Sequence, residues 1–276
     1  MEFMSLLSDD QVGQAVESLR RHRVRVILTA RDLGRQIPAQ WQESVQNGAN
    51  WSYSEYVEGL TSTAPVMNKY GRHFWNKQDF AAILKPWTKH LPADDVVVVT
   101  VPPSGAPKGL LWERFCQSLD IPPERFDSSI RANESLGAAS AEVMRYVSDA
   151  ASGSKVSDAT RRNLKRVVSK DILAAHKTEE PTLLLPARYH DWTTHRSHKL
   201  IDDIDLLRPT VIGNLQELVP VYGKETSSTT TDPSAISTDV LMRAAAHGIL
   251  GMARRQGRAA KKSAGRKGAA GRKRRA

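Results

Sequence analysis

The segment VVVVTV, residues 96–101, constrains the fold more than any other stretch of this chain. Every side chain in it is β-branched, which disfavours a helix and suits a pleated sheet. It has no polar alternation, so both faces of the strand must be covered, as in a parallel sheet. PPSGAP ends the run, and KGLLWERFCQSLDI follows with helical spacing of its apolar residues. A second run, VRVILTA at residues 24–30, has the same character and is interrupted only by Arg25. It predicts another strand buried on both faces. DDQVGQAVESLRRH, residues 9–22, predicts an amphipathic helix before it. Arg31-Asp32 closes it, and a helix follows through about Gln46, with Pro38 in its first turns where a missing amide donor matters least.

The order helix, strand, helix, insert, helix, strand, helix implies a parallel sheet covered on both faces. The expected class is therefore α/β, a three-layer parallel sheet with flanking helices. Within the insert SYSEYVEGL predicts a short helix, and Gln78–His90 another. Residues 134–176 predict two helices, ESLGAASAEVMRYV and SDATRRNLKRVVSKDILAAH, joined by the loop AASGSKVS. Residues 200–220 hold a helix and a strand-like piece at Thr210–Ile212. Two strong strands and one weak one make a small parallel sheet, so the sheet is expected to be incomplete.

The C-terminal part differs in kind. GKETSSTTTDPSAI is of low complexity and predicts a linker. The expected organisation is an α/β domain over 1–220, a linker over 221–236, a helix over 237–253 and a disordered basic tail over 254–276. The tail carries 11 basic residues and no acid. The whole chain carries +10, so residues 1–253 are left with −1. The basic balance belongs to the tail, which can release counterions from nucleic acid without reading sequence. No RRM signature, zinc finger or clear helix-turn-helix accompanies it.

No apolar run approaches the roughly 20 residues that span a bilayer. The N-terminus is acidic where a secretion signal is basic, and the single cysteine, Cys116, lies in an apolar helical pattern. A cytoplasmic protein with a packed core thiol is expected. His190, His195 and His198 in RYHDWTTHRSHK have one usable helical spacing but neither a cysteine partner nor an HExxH frame. A polar loop or helix end is the better account of them, and no metal site is expected.

Arg31 is the sharpest functional candidate. It stands at the carboxyl end of a strand, where open α/β sheets bind ligands, and the following helix points its N-terminus at the same rim. That combination makes a phosphate seat. An ion pair of Arg31 with Asp32 or Glu43 is the alternative.

Four segments resemble, in order, those of the P-loop sulfotransferase family, and more closely an actinobacterial sulfotransferase-like branch: VILTARDLGRQIPAQWQE, VVVVTVPPSGAPKGLLWERFCQSLDI, RANESLGAASAEVMRYV and VIGNLQELVP. The resemblance implies a P-loop-type α/β fold. It also implies transfer of a sulfonate group from 3′-phosphoadenosine 5′-phosphosulfate to a hydroxyl of a small-molecule or glycan acceptor. Arg31 matches the family's arginine for the donor's 3′-phosphate. The family's serine falls on Ala39, and Gln36 or Gln42 stands as a substitute. Trp192, Arg196 and Ser197 match a segment near the donor. The family's N-terminal phosphate-binding loop, with its lysine, has no counterpart here, and residue 1 falls beyond its position. An N-terminally truncated, inactive or impaired transferase is therefore expected. No catalytic residue is assigned, since Glu2, the one acid near the family's base, is terminal. A non-catalytic protein whose tail binds nucleic acid is the alternative.

Overall fold

The computed structural model describes residues 4, 6–127, 135–224, 226 and 228–273, of which 259–273 as backbone only. In chain order come α1 (Asp9–Ser18), β1 (Val26–Ala30), α2 (Leu33–Gln46), α3 (Tyr53–Thr61), α4 (Lys69–Gln78), α5 (Phe80–His90) and β2 (Val96–Thr100). There follow α6 (Leu110–Ser118), α7 (Ala138–Ser152), α8 (Asp158–Asn163), β3 (Thr182–Leu183), α9 (His190–Asp205), β4 (Thr210–Ile212), β5 (Thr229–Thr230) and α10 (Thr238–Lys273). The architecture is mixed α/β, mostly helical, with two small parallel sheets. No helix among the described residues is long and apolar enough to cross a membrane.

The chain divides into two compact units. The first comprises residues 1–40, 53–132 and 184–224. Its sheet has the order β1-β2-β4, all parallel, with Val26 opposite Val96 and Val97 opposite Thr210. All five residues of β2 are buried. Alternate side chains point to opposite faces. Val96 and Val98 therefore join Val12, Phe80, Leu84, Trp87, Ile201 and Ile204 on one side, while Val97 and Val99 meet Ile27 and Ile212 on the other. The strand predicted by VVVVTV is buried on both faces, as expected, and lies at the centre of the sheet.

VRVILTA behaves differently. Among the described residues β1 pairs with β2 alone, so it is an edge strand, half-buried and with Thr29 exposed, rather than a strand covered on both faces. Both runs are mainly apolar; position in the sheet decides their burial. Before it, α1 is closed at its start by a capping box between Ser8 and Gln11. It ends at Ser18, earlier than the predicted His22. Beyond it Arg23 leaves to bind Asp95 at 2.8 Å, and Arg25 reaches Asp120 at 2.7 Å.

The second unit comprises residues 41–52, 133–183 and 225–276. Here α7 is the buried helix. Its first-turn amide at Ser140 donates to the Glu180 carboxylate at 2.7 Å, a cap supplied from another segment. A Cβ on Gly137 would come within 2.3 Å of that carboxylate, which explains glycine there. The predicted single helix over SDATRRNLKRVVSKDILAAH is not continuous. After α8 the backbone widens into π-helical turns over Leu164–Ile172 and tightens to a 3₁₀ segment over Leu173–Glu179, with no proline or glycine inside either. The predicted linker contains β5, which pairs with β3. The backbone of α10 continues past residue 253 to Lys273, through the segment expected to be a disordered tail. Alanine, lysine and arginine in that segment are strong helix formers. Residues 131–134 of the RANESLGAASAEVMRYV segment, and Glu2, lie outside the described residues.

Candidate anion-binding site

The length of β1 from Val26 to Thr29, with Arg31 just past its end, lines a cavity of about 320 Å³ in the first unit. Its apolar side comes from β1 and from Phe80, Leu84 and Trp87, and its polar side from Arg31, Gln36, Lys77 and Gln78. Small-ligand pockets run from about 300 to 1,000 Å³, so the cavity is at the small end of that range.

The strand-to-helix turn sets the electrostatics. The Asp32 carboxylate accepts the Arg35 backbone amide at 2.9 Å and also binds the Arg35 guanidinium. Arg35 further donates to the Pro102 carbonyl at 2.9 Å. Asp32 is thus the N-terminal cap of α2, and Arg35, one turn on, is its partner. Two consequences follow. The helix N-terminus expected to help hold an anion is already occupied by a carboxylate of the chain. And the expected alternative partner of Arg31 is taken.

Glu43 is engaged too, with Asn47 at 3.0 Å and Lys165 at 3.6 Å. Arg31 makes no hydrogen bond or ion pair with any described residue, and its Nε is buried without a partner. Burial, and secondarily the charge of Arg35, push its pKa down from the ordinary arginine value. A guanidinium still stays charged in the neutral range. The result is a half-buried cation lining the cavity, with a buried Nε that no described residue satisfies.

Of the other predicted residues, Gln36 lines the cavity one turn into α2. Gln42 does not, for its amide donates to the Leu136 carbonyl at 3.0 Å. Trp192, Arg196 and Ser197 lie on α9. Arg196 binds Asp79 at 3.2 Å and covers the Trp75 ring at 4.6 Å, and Trp192 meets the same ring edge-on at 6.2 Å. Ser197 is buried, with an Oγ that has no hydrogen-bond partner among the described residues. These three do not line the cavity. Trp192 and Arg196 meet residues 75–79, whose Lys77 and Gln78 do.

Lys77 and Gln78 are what sequence reasoning missed. Asn68 caps α4 through the Gly71 amide at 2.8 Å, so the local helix signal was present. Nothing local places the end of that helix beside β1. The histidine segment is helical: His190 stacks on Tyr222 with ring centroids 3.5 Å apart, and His195 and His198 are exposed. Cys116 is fully buried, as expected of a core thiol.

No family model, curated protein or solved structure matches this chain.

Proposed function

We propose that the cavity beside Arg31 is an anion seat that takes the 3′-phosphate of an adenosine bisphosphate-type nucleotide, as in a sulfotransferase-like protein. We further propose that the β1-β2-β4 sheet belongs to the three-layer, P-loop-type α/β class. The parallel strand order and the arginine ending β1 support the fold assignment. The half-buried Arg31, whose Nε is buried without a hydrogen-bond partner, carries the functional one. Gln36, one turn into α2, lines the same cavity and can donate to the same anion, and Lys77 lines it too. A cytoplasmic location is part of this proposal.

Binding is proposed ahead of transfer. Sulfonate transfer from 3′-phosphoadenosine 5′-phosphosulfate needs a base for the acceptor hydroxyl and donors around the leaving phosphate. Among the described residues lining the cavity there is no carboxylate or histidine.

Calorimetry with adenosine 3′,5′-bisphosphate tests the seat. The full chain should bind it more tightly than adenosine 5′-monophosphate, and Arg31→Ala should abolish the difference. Equal binding by the full chain and Arg31→Ala would overturn the assignment.

The charge distribution favours a second reading, in which residues 254–276 bind nucleic acid without sequence preference. Their 11 basic residues sit on a body of charge −1. Deleting them should remove retention on duplex DNA, and retention by the full chain should fall steeply between about 50 and 200 mM salt. Retention that survives the deletion would exclude this segment as its source.

A further inference from the structure

In the second unit, α10 packs on the 3₁₀ segment Leu173–Glu179, and three metal-ligating side chains meet there. His176 Nδ1 lies 3.0 Å from Glu179 Oε1. The ring of His247, from α10, stacks on that of His176 with centroids 3.7 Å apart and 25° between planes. One ligand atom from each of the three lies within 4.8 Å of the others. This is the one such group of three among the described residues.

We propose that His176, Glu179 and His247 form a site for a divalent transition metal, zinc above all, that fastens α10 to the 173–179 segment. The donor set and spacing carry the inference. Zinc takes imidazole nitrogen and carboxylate oxygen at about 2.0–2.2 Å, and a tetrahedral centre then sets neighbouring ligand atoms about 3.4 Å apart. The His176–Glu179 pair, at 3.0 Å, lies slightly inside that spacing. The remaining gap is on the order of 1 Å and closes by side-chain rotation.

His176 and Glu179 are three residues apart on one turn, and His247 comes from a separate element, so the site exists only when the two are packed together. The two rings are half-buried and Glu179 is exposed, which leaves an entry path and a fourth coordination position open to water. With a single carboxylate, calcium and magnesium lack the oxygen ligands they require, whereas two imidazoles suit zinc, nickel or copper. The site lies in the other unit from the Arg31 cavity, and the inference does not depend on the nucleotide proposal.

The test uses the full chain without an affinity tag, stripped with a chelator and titrated with Zn²⁺, with Co²⁺ as a spectroscopic probe. One ion should bind per chain, Co²⁺ should give the intense visible absorption of a four-coordinate centre, and Zn²⁺ should raise the thermal midpoint. His176→Ala and His247→Ala should each weaken binding at least about tenfold and remove the thermal shift. His195→Ala with His198→Ala should leave both unchanged. Glu179→Gln, at an exposed position, keeps the fold and should also weaken binding, which guards against an unfolded histidine variant. Binding of one ion with unchanged affinity in His247→Ala or in Glu179→Gln would overturn the proposal. So would full-chain binding no tighter than that of His176→Ala with His247→Ala.

Discussion

Two arginines serve the carboxyl ends of neighbouring strands in one sheet, and their surroundings are opposite. At the end of β2, Arg114 donates to the Thr100 carbonyl at 2.9 Å, to Thr100 Oγ1 at 3.1 Å and to both oxygens of Glu217 at 2.6 and 2.8 Å. The backbone closes over this group so tightly that Gly213, at φ +103°, would bring a Cβ within 2.9 Å of the Arg114 guanidinium. At the end of β1, Arg31 has no such partner, because Asp32 is spent on Arg35. A buried cation that is fully paired holds elements together. One whose Nε is left unsatisfied costs stability instead.

The largest way to break the comparison is to take away the carboxylate at β2. Glu217→Ala leaves Arg114 partly buried and unpaired and should cost about 3 kcal/mol. The readout is the urea midpoint at constant m-value. Thr100→Val should cost less, about 1–2 kcal/mol. It removes a hydroxyl that accepts from Arg114 and from the Asn214 amide at 3.1 Å and that donates to Glu217. A loss below about 0.5 kcal/mol for Glu217→Ala would mean that the β2 end is no more satisfied than the β1 end.

Acid gives the same contrast without a cavity. Arg114, then the Thr100 hydroxyl, hold the Glu217 carboxyl below its ordinary value of 4.5. A group depressed in the folded state stabilises it fully above the ordinary pKa, and that contribution is lost as pH falls through the folded one. The stability difference between wild type and Glu217→Gln should therefore be constant above about pH 5 and shrink below the ordinary value of 4.5. A difference that stays flat down to pH 3 would show that the pair does not shift Glu217.

What could be read from sequence, and what could not, follows the range of the interactions. VVVVTV names a central strand because a run without polar positions survives only when covered on both faces. VRVILTA carries the same signal yet sits at the edge, since pairing partners are set by the whole sheet. Arg31 at a strand end was visible. That Asp32 would choose Arg35, three residues on, is helix geometry and was visible in principle. Lys77 and Gln78 were not, for they reach the cavity from a helix more than forty residues later. Nor was the Thr100–Glu217 contact, whose partners are 117 residues apart. His176 and His247 meet for the same long-range reason.

The smallest expected effect discriminates best. Methionine keeps an unbranched stem of similar reach and drops the charge and the donors. At Arg114 the substitution strands Glu217 and should destabilise by about 3 kcal/mol. At Arg31 it removes a buried Nε that nothing satisfies, an arrangement that itself costs roughly 1–3 kcal/mol when complete. The rest of the guanidinium reaches the cavity, so only part of that is recovered, and Arg31→Met should stabilise by about 0.5–1 kcal/mol. It should at the same time lose the adenosine bisphosphate. The same replacement at two strand ends thus changes stability in opposite directions, and the variant that gains it loses the ligand. If Arg31→Met instead unfolds at as low a urea concentration as Arg114→Met, then Arg31 is a structural cation like its neighbour, and the cavity beside it has no claim to be an anion seat.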